Sequence, residues 1–238
     1  MSAVEKLFVM ILALVGPAPA DSPKKCELKP GDTIVAIGDS ITAAGGYLRD
    51  IDAVLAQQYP KLKLAKVVNK GIPGHRAEDL APRFDKDVVK LKPTIVTLNI
   101  GVNDVWSRLS KPLVAKDVAF YKETVAKMVD QAQKAGIRVI LLTPTVVGED
   151  PNTESNKRLV AYVKAMKEIA AEKKCQLVDL HAMFLTALKK KPADKKTWLT
   201  IDGVHMLPPG DAIMAIGVLR ALGVPDNKIA ASDLPQAK

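Results

Sequence analysis

Residues 93–100 read Pro-Thr-Ile-Val-Thr-Leu-Asn-Ile, and this stretch decides the fold. Pro93 marks a turn. From Thr94 to Ile100 every residue except Asn99 is apolar or β-branched. A strand with one wet face alternates apolar and polar side chains. A nearly unbroken run needs both faces covered, as in the centre of a parallel sheet with helices on either side. Working outward, four more short runs have this character: Thr33 to Ile37, Leu64 to Val68, Arg138 to Leu142 and Cys175 to Val178. Helical spacing fills the intervals. Tyr47 to Tyr59 lines up Leu48, Ile51, Val54 and Leu55 and stops at Pro60. Ala77 to Leu91 lines up Leu80, Phe84, Val88 and Leu91, and Val114 to Lys134 closes on Gly136. Thr153 or Ser155 caps a helix reaching Lys173; Leu180 to Leu188 and Gly210 to Leu222 follow. Val105 to Leu113 and Pro144 to Asn152 read as loops, and the chain after Pro225 reads as loose. Strands alternating with helices predict a three-layer α/β/α sandwich on a five-stranded parallel sheet, with its site at the carboxyl ends of the strands.

The whole chain has 238 residues, 48% apolar and 26% charged, which fits one globular domain with a sizeable core. Aromatic residues are only 4%, which disfavours a broad stacking platform. Residues 1–20 have the form of a signal peptide: Lys6, an apolar run from Leu7 to Val15, then Ala18-Pro19-Ala20 before Asp21. The run is too short to span a bilayer, and the alternative is a buried N-terminal helix. The expectation is an exported chain, secreted or periplasmic, without stable membrane insertion, whose residues 21–238 form a single domain. Cys26 and Cys175 could make one disulfide or remain two thiols. Two cysteines and three histidines argue against a structural metal site, and no metal or cofactor is expected. The net charge is +9, and loss of residues 1–20 removes one acid, Glu5, and one base, Lys6, so it stays there. Lysines cluster at 24–25, 61–66, 189–191 and 195–196, either as solvated surface or as an attraction for acidic polymers. No zinc-finger or helix-turn-helix pattern accompanies them, so no nucleic-acid partner is expected. Oligomeric state is not legible.

Four segments carry the chemistry: Gly38 to Thr42 (GDSIT), Asn69 to Gly74 (NKGIPG), Gly101 to Asp104 (GVND) and Asp202 to His205 (DGVH). Ser40 follows the first strand by two residues and can stand at a helix entrance, where backbone N–H groups point outward; Asp39 or Ser40 could equally be a plain cap. Asp202 and His205 are three apart, so a carboxylate can meet the imidazole and the imidazole can take a hydroxyl proton. His75 and His181 are rival bases. Ser40 N–H, Gly74 N–H and the Asn103 amide could stabilise an oxyanion, and Asp104 more readily fixes its loop.

Taken in order, these segments resemble the SGNH hydrolases, also called GDSL-type esterases and lipases, over roughly Ile34 to Leu219. The resemblance implies a flavodoxin-like sandwich and metal-free hydrolysis of esters or thioesters. It puts the nucleophile at Ser40, the oxyanion donors at Ser40, Gly74 and Asn103, and the remaining pair at Asp202 and His205. Export and the absence of a long apolar lid point to short acyl groups, acetyl foremost, on carbohydrate, so the partner is a small-molecule or polysaccharide ester. The alternatives are a lysophospholipase or thioesterase, and a catalytically silent glycan-binding module. His75, Trp106 and Trp198 are candidate pocket residues.

Overall fold

A computed structural model describes residues 10–16 and 27–232. Five parallel strands make one sheet: β1 (Ile34–Gly38), β2 (Val68–Gly71), β3 (Ile95–Asn99), β4 (Arg138–Leu142) and β5 (Gln176–Val178). Their order is β2-β1-β3-β4-β5. β1 and β3 are buried at every position, as their unbroken apolar runs require. The order reverses direction between β1 and β3. There the connections leave to opposite faces and open a crevice at the strand ends. This is the expected three-layer sandwich.

The helices are α1 (Ser40–Ala44), α2 (Gly46–Gln58), α3 (Ala77–Leu80), α4 (Phe84–Asp87), α5 (Val102–Trp106), α6 (Ala115–Lys134), α7 (Glu154–Glu172), α8 (Leu180–Leu188), α9 (Pro208–Ala221) and α10 (Asp226–Ala230). α6 and α7 pack side by side on one face, α2 and α9 on the other. Thr153 caps α7, its hydroxyl accepting from Asn156 N–H at 3.3 Å. α9 is buried almost all round, which explains its lack of a polar stripe.

Four segments depart from the sequence reading. The second strand lies at Val68–Gly71, not 64–68. It is an edge strand with half-exposed side chains, so apolar pattern does not locate it. Pairing with β1, Val68 beside Val35 and Gly71 beside Gly38, does. Gly71 permits that register, because a Cβ there would stand 2.1 Å from Ala43 N. The helix expected over 77–91 is broken into α3, a 3-10 turn at Pro82, which lacks an N–H to continue the ladder, α4, and a second 3-10 turn over Val89–Leu91. Leu80, Phe84 and Val88 are buried as their spacing predicts, but Leu91 is 46% exposed. The loop after β3 begins with α5. The tail after Pro225 forms α10, held by buried Ile229 and by two ion-paired hydrogen bonds between Arg220 and Asp226.

Residues 10–15 are helical, with Ile11 buried, and Gly16 carbonyl accepts from Arg220 Nη2 at 2.7 Å. The rest of the expected leader, and Cys26, lie outside the described residues. Cys175 is buried, and burial pushes its thiol up to about 11. No helix among the described residues is long and apolar enough to cross a membrane.

Candidate active site

The site assembles from the ends of β1 and β3 and from two loops. At the end of β1, Asp39 takes the N-cap of α1, its Oδ1 accepting from Ile41 N–H at 3.0 Å. Burial pushes this carboxyl up to about 6, against the pull of that hydrogen bond. Capping therefore falls to Asp39, and Ser40, the first residue of α1, keeps its hydroxyl for another partner. Ser40 Oγ lies 2.8 Å from His205 Nε2.

His205 comes from the connection between α8 and α9, not from a helix. Asp202 organises that turn. Its Oδ1 accepts from the N–H groups of Val204 (3.0 Å) and His205 (2.8 Å), and its Oδ2 lies 2.6 Å from His205 Nδ1. With the Nδ1 proton donated to Asp202, Nε2 is free to accept from Ser40. Burial works to raise the Asp202 pKa, but the ring and the two N–H donors outweigh it and hold it at about 2. The turn is clamped at its base by an antiparallel bridge between Thr200 and Met206 and by Ile201 N–H on His205 carbonyl.

Gly74 sits on the exposed loop after β2 with φ of 79°, a left-handed conformation that favours glycine. The backbone N–H groups of Ser40 and Gly74 have no acceptor among the described residues. Asn103 lies in the first turn of α5, and its Nδ2 donates to His75 carbonyl at 3.0 Å. An amide nitrogen carries two hydrogens, so one remains. Asp104 is buried and receives Ala77 N–H on both oxygens, at 3.3 and 3.2 Å. It joins α5 to α3, and burial pushes it up to about 7.

The rival bases have other partners. His75 Nδ1 accepts from Arg83 Nε at 3.3 Å; burial first, then the Arg83 charge, lowers its pKa. His181 is buried, with Nδ1 2.6 Å from Thr145 carbonyl. Trp106, on α5, is 56% exposed, whereas Trp198 is 9% exposed. Ile72 and Ile201 also stand exposed, beside the Gly74 and Asp202 loops. Among the described residues no group of three or more His, Cys, Asp or Glu side chains could hold a metal ion.

Two residues that sequence reasoning passed over hold this geometry. Glu149, in the loop after β4, accepts from the N–H groups of Trp198, Leu199 and Thr200, from the Thr200 hydroxyl and from Lys191. It thereby fixes the segment leading into Asp202. Next to it, Gly148 N–H reaches Gly203 carbonyl at 2.7 Å. Arg83 bonds Gly38 carbonyl, Lys70 carbonyl, Asp87 and His75 together. The partners that matter here are remote along the chain, Gly38 for Arg83 and Trp198 to Thr200 for Glu149, and so leave no sequence signal.

A model of the GDSL-like lipase/acylhydrolase family matches residues 36–213. The chain belongs to this family. It is a carboxylic ester hydrolase of GDSL type. An acetylxylan esterase of Geobacillus stearothermophilus is 30% identical over 83% of this chain and 96% of its own. An uncharacterized lipoprotein of Bacillus subtilis is 27% identical over 81% of this chain and 90% of its own. The crystal structure of the Geobacillus enzyme superposes with a TM-score of 0.73 at 29% identity, over 84% of this chain and 98% of that one. An α/β hydrolase from the metagenome of Lake Arreo, Spain, gives 0.74 at 30%, over 83% and 97%. Solved catalytic mutants of the Geobacillus esterase include replacements of a serine, a histidine and an aspartate by alanine.

Proposed function

We propose that this GDSL-type hydrolase is an exported esterase that removes short acyl groups, acetyl foremost, from carbohydrate. The observation that carries the reading is the unbroken hydrogen-bonded line from Asp202 Oδ2 through His205 to Ser40 Oγ, at 2.6 and 2.8 Å. Ser40 Oγ attacks the ester carbonyl as His205 Nε2 takes its proton. Negative charge on the tetrahedral oxygen is met by Ser40 N–H, Gly74 N–H and the second Asn103 amide hydrogen, none of which is spent on another described residue. As the C–O bond to the sugar breaks, Nε2 passes its proton to the leaving alkoxide. Water, deprotonated by the same nitrogen, then releases acetate from the acyl-serine. Asp202 stays ionised throughout and holds the ring in the tautomer that keeps Nε2 basic. The preference for acetylated carbohydrate is supported by the acetylxylan esterase relative and by the exposed Trp106, a flat face at the end of the helix that carries Asn103, on which a sugar ring can stack. Export is supported by the apolar run and the Ala18-Pro19-Ala20 end of residues 1–20. The mass of the protein recovered outside the cytoplasm tests it: an N-terminus at Asp21 is expected.

Hydrolysis of p-nitrophenyl esters from acetate to palmitate, wild type beside Ser40→Ala, tests the reaction. The expected result is a rate highest on acetate and reduced at least about 10⁴-fold by the substitution. A maximum at octanoate or beyond would transfer the substrate to lipids, and undiminished Ser40→Ala activity would remove Ser40 from the chemistry. Release of acetate from acetylated xylan is the next measurement.

A further inference from the structure

One lysine cluster of the sequence, 61–66, acquires a setting in the fold. Beside α2 runs an open groove of about 550 Å³, lined by Arg49, Ala53, Tyr59, Pro60, Lys63 and Lys66 among others. That volume lies in the range of small-ligand sites. α2 turns its apolar face inward and its small Ala53 and Ala56 outward, and the chain from Tyr59 to Lys66 forms the opposite wall. Arg49, Lys63 and Lys66 form no ion pair within 4 Å among the described residues, whereas most arginines do (Arg76, Arg83, Arg108, Arg138, Arg158 and Arg220). The single carboxylate in the lining, Asp52, is committed to the backbone, its Oδ1 accepting from Val67 N–H at 2.9 Å. At one end Lys228 adds its ammonium, 4.1 Å from the centre of the Tyr59 ring. At the other end Arg49 Nη1 donates to Ala44 carbonyl at 2.9 Å. Ala44 closes the helix that Ser40 opens, so this end lies roughly 6 Å along the α1 axis from the site.

We propose that this groove is a second binding site that takes an anionic carbohydrate strand, a uronate-bearing polysaccharide, alongside the ester site. The choice of carbohydrate rests on the function proposed above. The choice of charge rests on three cations against one carboxylate in the lining: Arg49, Lys63 and Lys66 lie beyond ion-pair distance of any described carboxylate, and Asp52, which feels the Lys66 charge, is tied to Val67 N–H, in a chain of net charge +9. The long lysines can follow carboxylates spaced along a flexible polymer, and the trough between them gives the sugar rings an apolar floor. A strand seated here would run toward α1 and raise the local concentration of its acetyl esters at Ser40 without changing the chemistry there.

The test is binding of unacetylated polygalacturonate at low ionic strength, with neutral xylan as comparison. The proteins are wild type, Lys63→Gln/Lys66→Gln, and Lys116→Gln/Lys157→Gln. The last pair is exposed on the opposite helical layer and loses the same charge. The expected result is a Kd on polygalacturonate raised about tenfold by the groove pair and less than about twofold by the control pair. Hydrolysis of p-nitrophenyl acetate should be unchanged in both, and Lys63→Arg/Lys66→Arg should bind like wild type. Equal weakening by both glutamine pairs would reduce the effect to net charge and overturn the proposal, as would an unchanged Kd in the groove pair. Because binding is read without turnover, groove-dependent binding by a protein that hydrolyses no ester would sink the esterase reading alone. Normal esterase activity with groove-independent binding would sink the groove alone.

Discussion

Neighbouring Asp39 and Ser40 divide two jobs that either could do. Asp39 is buried and satisfies the open N–H of α1, so the hydroxyl of Ser40 is spared for His205 at 2.8 Å. The same economy of partners applies at Asn103, where one amide hydrogen holds His75 carbonyl and the other stays free. A donor used only when charge develops on the substrate oxygen contributes to kcat rather than to KM. Asn103→Ala is therefore expected to lower kcat on p-nitrophenyl acetate by about 10²–10³ with KM changed less than about threefold. Steady-state kinetics decide it: a rise in KM at constant kcat would make Asn103 a ground-state contact. Sequence pattern named all these residues, because three of the four motifs put polar groups where strands end and the fourth puts them on a polar loop near the C-terminus. It could not say which of Asp39 and Ser40 caps the helix, since both types cap well.

Among the elements, the loop after β4 matters more than its irregular sequence suggests. Glu149 collects three backbone N–H groups, a hydroxyl and an ammonium, and so anchors the strand segment that carries Asp202 and His205. Burial acts to raise its pKa, but Lys191 and the N–H donors prevail and hold it at about 2, against 4.5 for an ordinary glutamate. A carboxylate held low in the folded state contributes stability that is complete above pH 4.5 and lost as pH falls toward 2. Glu149→Ala is expected to destabilise the fold by about 2–4 kcal/mol at pH 7 and by much less near pH 2. Urea unfolding at the two pH values measures the difference; an equal loss at both would mean that the cost lies in packing. The same variant should lower kcat, because the Asp202 turn is no longer held.

At the scale of the whole molecule, the two halves of the site are joined where α2 packs on α9. Asp211, on the first turn of α9, lies flat against Gly46, where a Cβ would come within 2.3 Å of all three carboxyl atoms. Asp50 is buried beside it and accepts no hydrogen bond from the described residues. Burial, then the Asp211 charge, pushes Asp50 up to about 7, and burial pushes Asp211 up to about 6. Acids whose folded pKa is raised cost stability as they ionise, so this interface weakens as pH climbs from about 4 through about 7. Asp50→Asn removes one of the two charges. Its midpoint of thermal unfolding is expected to exceed wild type by about 3–6 °C at pH 8 and by much less at pH 5. Calorimetry at both pH values checks this, and a variant less stable at pH 8 would show that the ionised pair is tolerated.

The order of layers and the central strands were determined by sequence alone, and the sequence brought forward Ser40, Asp202 and His205, whose side chains the fold brings into one hydrogen-bonded line. Continuous apolar runs such as Thr94 to Leu98 suit only a strand covered on both faces, and the polar motifs at the strand ends have one crevice in which to meet a polar loop from further along the chain. Local chemistry also sufficed for the bounds of β4 and α8, and it narrowed the cap of α7 to Thr153 or Ser155, of which the structure uses Thr153. The position of β2, the break at Pro82, the helix after Pro225, and the roles of Glu149, Arg83 and the Asp50–Asp211 contact were decided by tertiary structure. Each depends on partners remote in sequence: Val35 for Val68, Trp198 to Thr200 for Glu149, Gly38 for Arg83, and α9 for Asp50. An edge strand, a charged anchor and a buried acid look like ordinary polar chain until folding removes water and leaves the neighbouring backbone or charge as their only partner.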